Sequence, residues 1–190
     1  MSELRNCTAF YIITYAECVD TDNDWKELSA RGKKAVDAVE EVLKDVHFDA
    51  FYSSPALQAI RTVSPIAFSR GIGVEVVHDF CTQRLLNSQM CTRCEFCKMS
   101  WEEVVQRLQD DADFREAQER CVGVLTAICR KFRDRSVLLG THFTILTLLF
   151  DKFMPDFRDF EANGQIEPHL VKFEFRSDEF IKFELLEWSF

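Results

Sequence analysis

The chain lacks an apolar run long enough to cross a bilayer: its longest, Thr144 to Phe150, falls far short of the ~20 residues that a spanning helix needs. Residues 1 to 15 also lack the basic start and apolar core of a secretory signal. The expectation is a protein inside the cell, cytoplasmic or nuclear, with no membrane contact. A surplus of positive charge is missing as well, since 23 Lys and Arg stand against 32 Asp and Glu for a formal net charge of −9. Affinity for nucleic acid rests largely on Lys and Arg neutralising phosphates, so direct nucleic-acid binding is not expected. A local basic pocket remains compatible with that charge.

What is present points to one core. At 190 residues with 47% hydrophobic content, a chain of this size buries roughly 70% of its unfolded surface, and residues 1–190 read as a single domain. Eight cysteines would suggest disulfides in a small secreted chain. Without a signal segment, reduced thiols are the expectation.

Apolar Phe10 to Ile13 reads as a first strand, Phe48 to Tyr52 as a second, Val137 to Thr141 as a late one, and Val171 to Glu187 as an alternating strand pair. Helical spacing fills the intervals. Lys33 to Leu43 sets Ala35, Val36, Val39, Val42 and Leu43 on one stripe. Pro55 suits the first position of a second helix, with Ser54 as N-cap. Ala117 to Phe132 turns Val122, Leu125, Ile128, Cys129 and Phe132 inward, and Thr144 to Phe153 follows the late strand. Alternating strand and helix predicts an α/β fold, a three-layer α/β/α sandwich with a mostly parallel central sheet. Ligands in such sheets bind beyond the carboxyl ends of the strands, where Thr14, Tyr15, Ser53, Ser54, Thr141 and His142 fall.

Several motifs occur in a recognisable order. Phe10-Tyr11-Ile12-Ile13 runs into Thr14-Tyr15-Ala16-Glu17, and Leu28-Ser29-Ala30-Arg31-Gly32 opens a helix. Ser53-Ser54-Pro55-Ala56-Leu57-Gln58-Ala59-Ile60-Arg61-Thr62 follows the second strand, Val137-Leu138-Leu139-Gly140-Thr141-His142 forms the late one, and Asn163-Gly164 precedes the strand pair. Together these resemble the histidine phosphatase superfamily of phosphoglycerate-mutase-like proteins over nearly the whole chain. The match is weakest from Cys81 to Trp101, where the resemblance implies a variable insertion at about 81–101.

The resemblance implies a site in which a histidine attacks phosphorus, two arginines and a second histidine neutralise the phosphoryl oxygens, and a carboxylic acid protonates the leaving group. Matched position by position, Tyr15 stands for the nucleophile, Thr14 for its neighbouring arginine and Ala16 for the motif glycine. Gln58 stands for the second arginine and loses the charged fork that suits phosphate. If Leu85 takes the leucine of the acid motif, Asn87 stands for the acid. His142 survives, followed by Phe143 where the family usually has glycine. One missing transition-state stabiliser costs on the order of 10² to 10³ in rate, and members of one catalytic unit fail together. No catalytic residue is therefore expected, and the reading is a pseudophosphatase acting as a scaffold or interaction subunit.

The alternative is a phosphomonoester hydrolase rebuilt around His142 and Arg61, with Glu95 or Glu102 as carboxylate. Arg61 lies one helical turn after Gln58, so it and His142 are the residues left to touch a phosphorylated ligand. A Tyr15 phenolate would need positive neighbours to ionise below its usual ~10, and Thr14 and Gln58 supply none.

Two further features carry chemistry. Cys91, Cys94 and Cys97 recur at ligand spacing, open to Zn²⁺ with Cys81, His78 or Cys121 as fourth ligand, or to a reading as a loop of reduced thiols. No cofactor is required, and an iron–sulfur cluster lacks the usual Cys-Pro continuation. Phe150, Phe153, Phe157 and Phe160 form a helix-like stripe that Pro155 interrupts; with Trp188 and Phe190 they are either core or a docking face. A protein partner or a homodimer is the expectation. The acidic stretch Asp20 to Asp24 reads as a solvated loop, short of a calcium-loop pattern.

Overall fold

The structure, a computed structural model, describes residues 7–20, 26–81, 101–155 and 168–189. Asn87, the Cys91, Cys94 and Cys97 cluster, Glu95, Phe157, Phe160, Asn163, Gly164 and Phe190 lie outside the described residues.

Strand β1, Thr8–Thr14, is buried along its whole length. It pairs in parallel with β6, Ser136–Thr141, and antiparallel with β7, Leu170–Arg176. Beyond β6 lie β4, Ala50–Ser53, and β5, Val74–Val76, both parallel; beyond β7 lies β8, Glu179–Leu185, antiparallel. The sheet order is β5-β4-β6-β1-β7-β8. A short antiparallel pair, β2 at Cys18–Asp20 and β3 at Lys26–Leu28, stands apart from it. The acidic stretch thus starts inside a strand at Asp20, rather than in a loop.

Burial on both faces explains why β1 is an unbroken apolar run. Phe10 and Ile12 face a core built with α4, Ala112–Lys131, and α5, Phe143–Phe153. Tyr11 and Ile13 face a second core built with α1, Ala30–Val42, and α2, Leu57–Ser69. Helix α3, Trp101–Asp110, adds Leu108 to the first core. No helix among the described residues is long and apolar enough to cross a membrane. Helices on both faces of a mostly parallel sheet are the predicted α/β architecture.

Particular expectations need correction. Val42 is 40% exposed, and the buried stripe of α1 takes Gly32 in its place. Ser54 is not an N-cap: α2 starts after Ala56, with no side-chain cap. A residue before proline is pushed toward extended backbone, and the Ser54 N–H accordingly extends the sheet ladder to the Gly140 carbonyl at 2.9 Å. Of the phenylalanine stripe and Trp188, Phe150 is buried in the first core, and Phe153 and Trp188 are half-buried against the two cores. Phe150 meets Phe173 edge-on, Phe153 stacks on Phe180 at 5.2 Å, and the Trp188 indole donates to the Pro168 carbonyl.

Gly32 is held by a close approach. The Ser29 hydroxyl accepts from its N–H at 2.9 Å and caps α1, while that hydroxyl also meets the Glu17 carboxylate. The Glu17 carbonyl accepts from the Ser29 N–H at 3.0 Å. A Cβ on Gly32 would sit 2.2 Å from that carbonyl oxygen, so Gly32→Ala must push β1's exit away from α1. The expected loss is about 1–3 kcal/mol of stability, as for other overpacked sites, read as a lower urea midpoint with an unchanged slope.

Candidate functional site

The carboxyl ends of β1, β4 and β6 converge, and β7 brings its first residues to the same place. The Thr14 N–H donates to the His169 carbonyl at 3.0 Å and the Tyr15 N–H to the Thr141 carbonyl at 3.1 Å. Thr14 is 4% exposed. Its hydroxyl accepts from the His169 N–H at 2.7 Å and lies 3.5 Å from His169 Nδ1. The position that the resemblance assigns to a phosphate-binding arginine is thus a short side chain committed to the start of β7.

Tyr15 and His142 meet edge to face with ring centroids 5.6 Å apart, and Phe143 packs against His169 at 5.4 Å. Burial alone lowers His142 to about 4, so the ring is neutral at pH 7. Burial also lowers His169. A phosphate or carboxylate beside His142 would favour the imidazolium, and among the described residues no charged group contributes to its shift. Gln58 is half-buried, and Arg61 is exposed on α2. The strand ends therefore bring Thr14, Tyr15, His142, Phe143 and His169 together in a neutral, largely aromatic cluster.

The fully buried Ala16 donates its N–H to Thr62 Oγ1 at 2.9 Å, and that hydroxyl donates to the Gln58 carbonyl at 2.8 Å. Ser54 Oγ and Thr141 Oγ1 are buried without a hydrogen-bond partner among the described residues. Pairing and topology set this chemistry: neutral hydroxyls and imidazoles hold the strand ends together, in surroundings where an unpaired anion is expensive to bury.

The remaining candidates lie elsewhere or outside the described residues. Asn87, Cys91, Cys94, Cys97 and Glu95 belong to the latter. Cys121 is wholly buried and donates to the Asp79 carbonyl at 3.5 Å, with burial pushing its thiol up to about 12. Arg120 binds the same turn through the Asp79 and Cys81 carbonyls. Among the described residues no group of three or more His, Cys, Asp or Glu could hold a metal ion. Glu102 sits exposed in the first turn of α3.

Sequence reasoning missed His169 and Thr62. Nothing local marks His169, whose partner Thr14 is 155 positions away. Thr62 stands at the end of the Ser53 to Thr62 motif, and its position there was the available signal.

A family model for the histidine phosphatase superfamily (branch 1) matches residues 19–185. The chain belongs to that superfamily. Its fold is shared with a phosphoglycerate mutase from Bacillus anthracis, at 15% identity over 97% of this chain and 95% of that one, with a TM-score of 0.66. It is shared with YhfR of Bacillus stearothermophilus, at 18% identity over 92% and 94%, with a TM-score of 0.65. A phosphoserine phosphatase from Entamoeba histolytica gives 15% identity over 95% and 96%, with a TM-score of 0.62. A search of curated proteins finds no match. At these identities the likeness is one of fold, and histidine phosphatase architecture alone does not fix an activity.

Two measurements check this cluster. His142 has a folded-state pKa of about 4 against 6.5 for a free histidine, so the unfolded chain binds the extra proton between those values. Stability is full above pH 6.5 and falls as pH drops toward 4, by up to about 1.4 kcal/mol per pH unit for one proton. His142→Gln should flatten that slope in denaturation titrations at a series of pH values; an unaltered slope would show that folding does not lower the His142 pKa. Thr141→Val, which removes an unsatisfied buried hydroxyl at nearly constant volume, should raise stability by about 1 kcal/mol. A loss would mean that the hydroxyl has a partner in solution.

Proposed function

We propose that this chain is a catalytically inactive member of the histidine phosphatase superfamily, a pseudophosphatase that works inside the cell by binding protein. One observation supports the reading: Tyr15, which the resemblance sets at the nucleophile position, has its ring against a neutral His142, and the neighbouring Thr14 hydroxyl accepts from the His169 N–H. A phosphohistidine route needs an imidazole at that place, and phosphate needs positive charge around it. Gln58 adds hydrogen-bonding capacity without charge, and Arg61 projects from the exposed face of α2.

The fold supports the binding role independently of chemistry. The chain's fold is that of the superfamily, and one fold serves many roles according to the side chains it carries. Reduced cysteines inside the core, such as Cys121 and Cys129, fit an intracellular setting.

Turnover of a broad panel of phosphomonoesters is the test, with wild type set beside His142→Ala and the triple variant Tyr15→His, Thr14→Arg, Gln58→Arg. No turnover by wild type is expected, with a measurable rate returning in the triple variant once circular dichroism shows it folded. Wild-type turnover that disappears in His142→Ala would overturn the proposal in favour of a hydrolase rebuilt around His142 and Arg61.

A further inference from the structure

The outer strand of the sheet, β8, carries a charge pattern that complements itself. Among the described residues its only strand partner is β7, so β8 is an edge strand of the described sheet, the kind of edge that templates pairing with another chain. Within the chain, Lys172 faces Glu184 and Glu174 faces Lys182 across β7 and β8. Lys172 Nζ is 2.5 Å from one Glu174 oxygen and Lys182 Nζ is 3.5 Å from the other. This makes a ladder of alternating charge on one face of the hairpin. The opposite face carries Phe173 across from Phe183, with Phe183 also edge-on to Phe150.

We propose that β8 pairs antiparallel with β8 of a second copy of this chain, about a two-fold axis through Phe183. The register follows from charge. A two-fold axis perpendicular to the sheet keeps each face with its own kind and allows only registers centred on a residue. Centred on Lys182, the pairing opposes two lysines; centred on Glu184, it opposes two glutamates, and like charges directly opposite are destabilising. Centred on Phe183, Lys182 meets Glu184 of the second copy, and the reverse pair forms by symmetry. The row then reads Lys172, Glu184, Lys182, Glu174 across four strands, with the sign alternating at every step.

The apolar residues agree with that register. Phe183 meets its own copy, extending the phenylalanine row across the axis. Ile181 and Leu185, 40% and 46% exposed, come opposite one another on either side of the charge pairs. The bulge between Glu174 and Phe175, where Ile181 is the additional residue, lies toward the hairpin turn and leaves 182 to 185 in regular pairing. Charges commonly protect an edge strand from association; a Lys and a Glu two positions apart do so against other strands while matching their own copy.

This inference deepens the binding reading by naming the partner as a second copy, and it can fail while the site stays inactive, because mass and turnover are read separately. The experiment is sedimentation equilibrium on the full chain and on two single variants, Lys182→Glu and Glu184→Lys, each checked for wild-type circular dichroism and thermal midpoint. Wild type should be dimeric. Each variant alone opposes like charges at both cross-strand pairs and should self-associate at least roughly tenfold more weakly. An equal mixture of the two restores both opposite-charge pairs and should recover the dimer. A monomeric wild type, a dimer untouched by either variant, or a mixture that stays monomeric would each overturn the proposal.

Discussion

Four consecutive residues at the exit of β1 bind four separate parts of the fold, and the architecture hangs on that knot. Thr14 holds the start of β7 through His169, Tyr15 holds the end of β6 through Thr141, Ala16 holds α2 through Thr62, and Glu17 holds the cap of α1 through Ser29. Each tether uses a main-chain N–H or carbonyl of the β1 exit. Buried backbone groups must find partners whatever side chains they carry, so the knot survives replacement of the residues above it. That separates two properties which share a place in this fold: the main-chain geometry at the strand ends and the identity of the side chains above it.

Glu17, Ser29 and Gly32 are each occupied structurally: carboxylate to hydroxyl, hydroxyl to N–H, and glycine beneath a carbonyl that leaves no room for a Cβ. Gly140 is constrained similarly, since a Cβ there would fall 2.3 Å from a Val63 methyl. The Thr14 hydroxyl is bonded to the His169 N–H. Tyr15, His142, Phe143 and His169 pack ring on ring, and burial keeps the imidazoles neutral.

How much of this was readable beforehand depended on how local the physics is. The apolar strand at Phe10 to Ile13 declared itself because both faces are buried, and the helical stripe of α1 because Val36 and Val39 recur with the helix period. Val42 fitted that period and still faces solvent, while the next residue, Leu43, is buried in the second core. Ser54 looked like a cap because serine before proline often is one; the ladder bond to Gly140, from a strand distant in sequence, decided otherwise. His169 had no local signature at all. Its place in the cluster exists only once β1 and β7 lie side by side. The charge ladder on β7 and β8 likewise needs the register, because Lys172 and Glu184 become neighbours only across the hairpin.

Strand order also has a consequence for how the chain is made. Strand β1 lies between Ser136–Thr141 and Leu170–Arg176, so an early, strongly apolar segment has no sheet neighbour until most of the polypeptide has been synthesised. At ordinary rates of translation that interval is on the order of ten seconds, far longer than collapse or helix formation. Helices α1 and α2 can form meanwhile and shield Tyr11 and Ile13, but the face bearing Phe10 and Ile12 must wait for α4 and α5. Strands β4 and β5 can pair earlier, so β1 is the strand whose apolar faces wait longest for sheet neighbours, and its exposure to misassociation ends when β6 and β7 emerge.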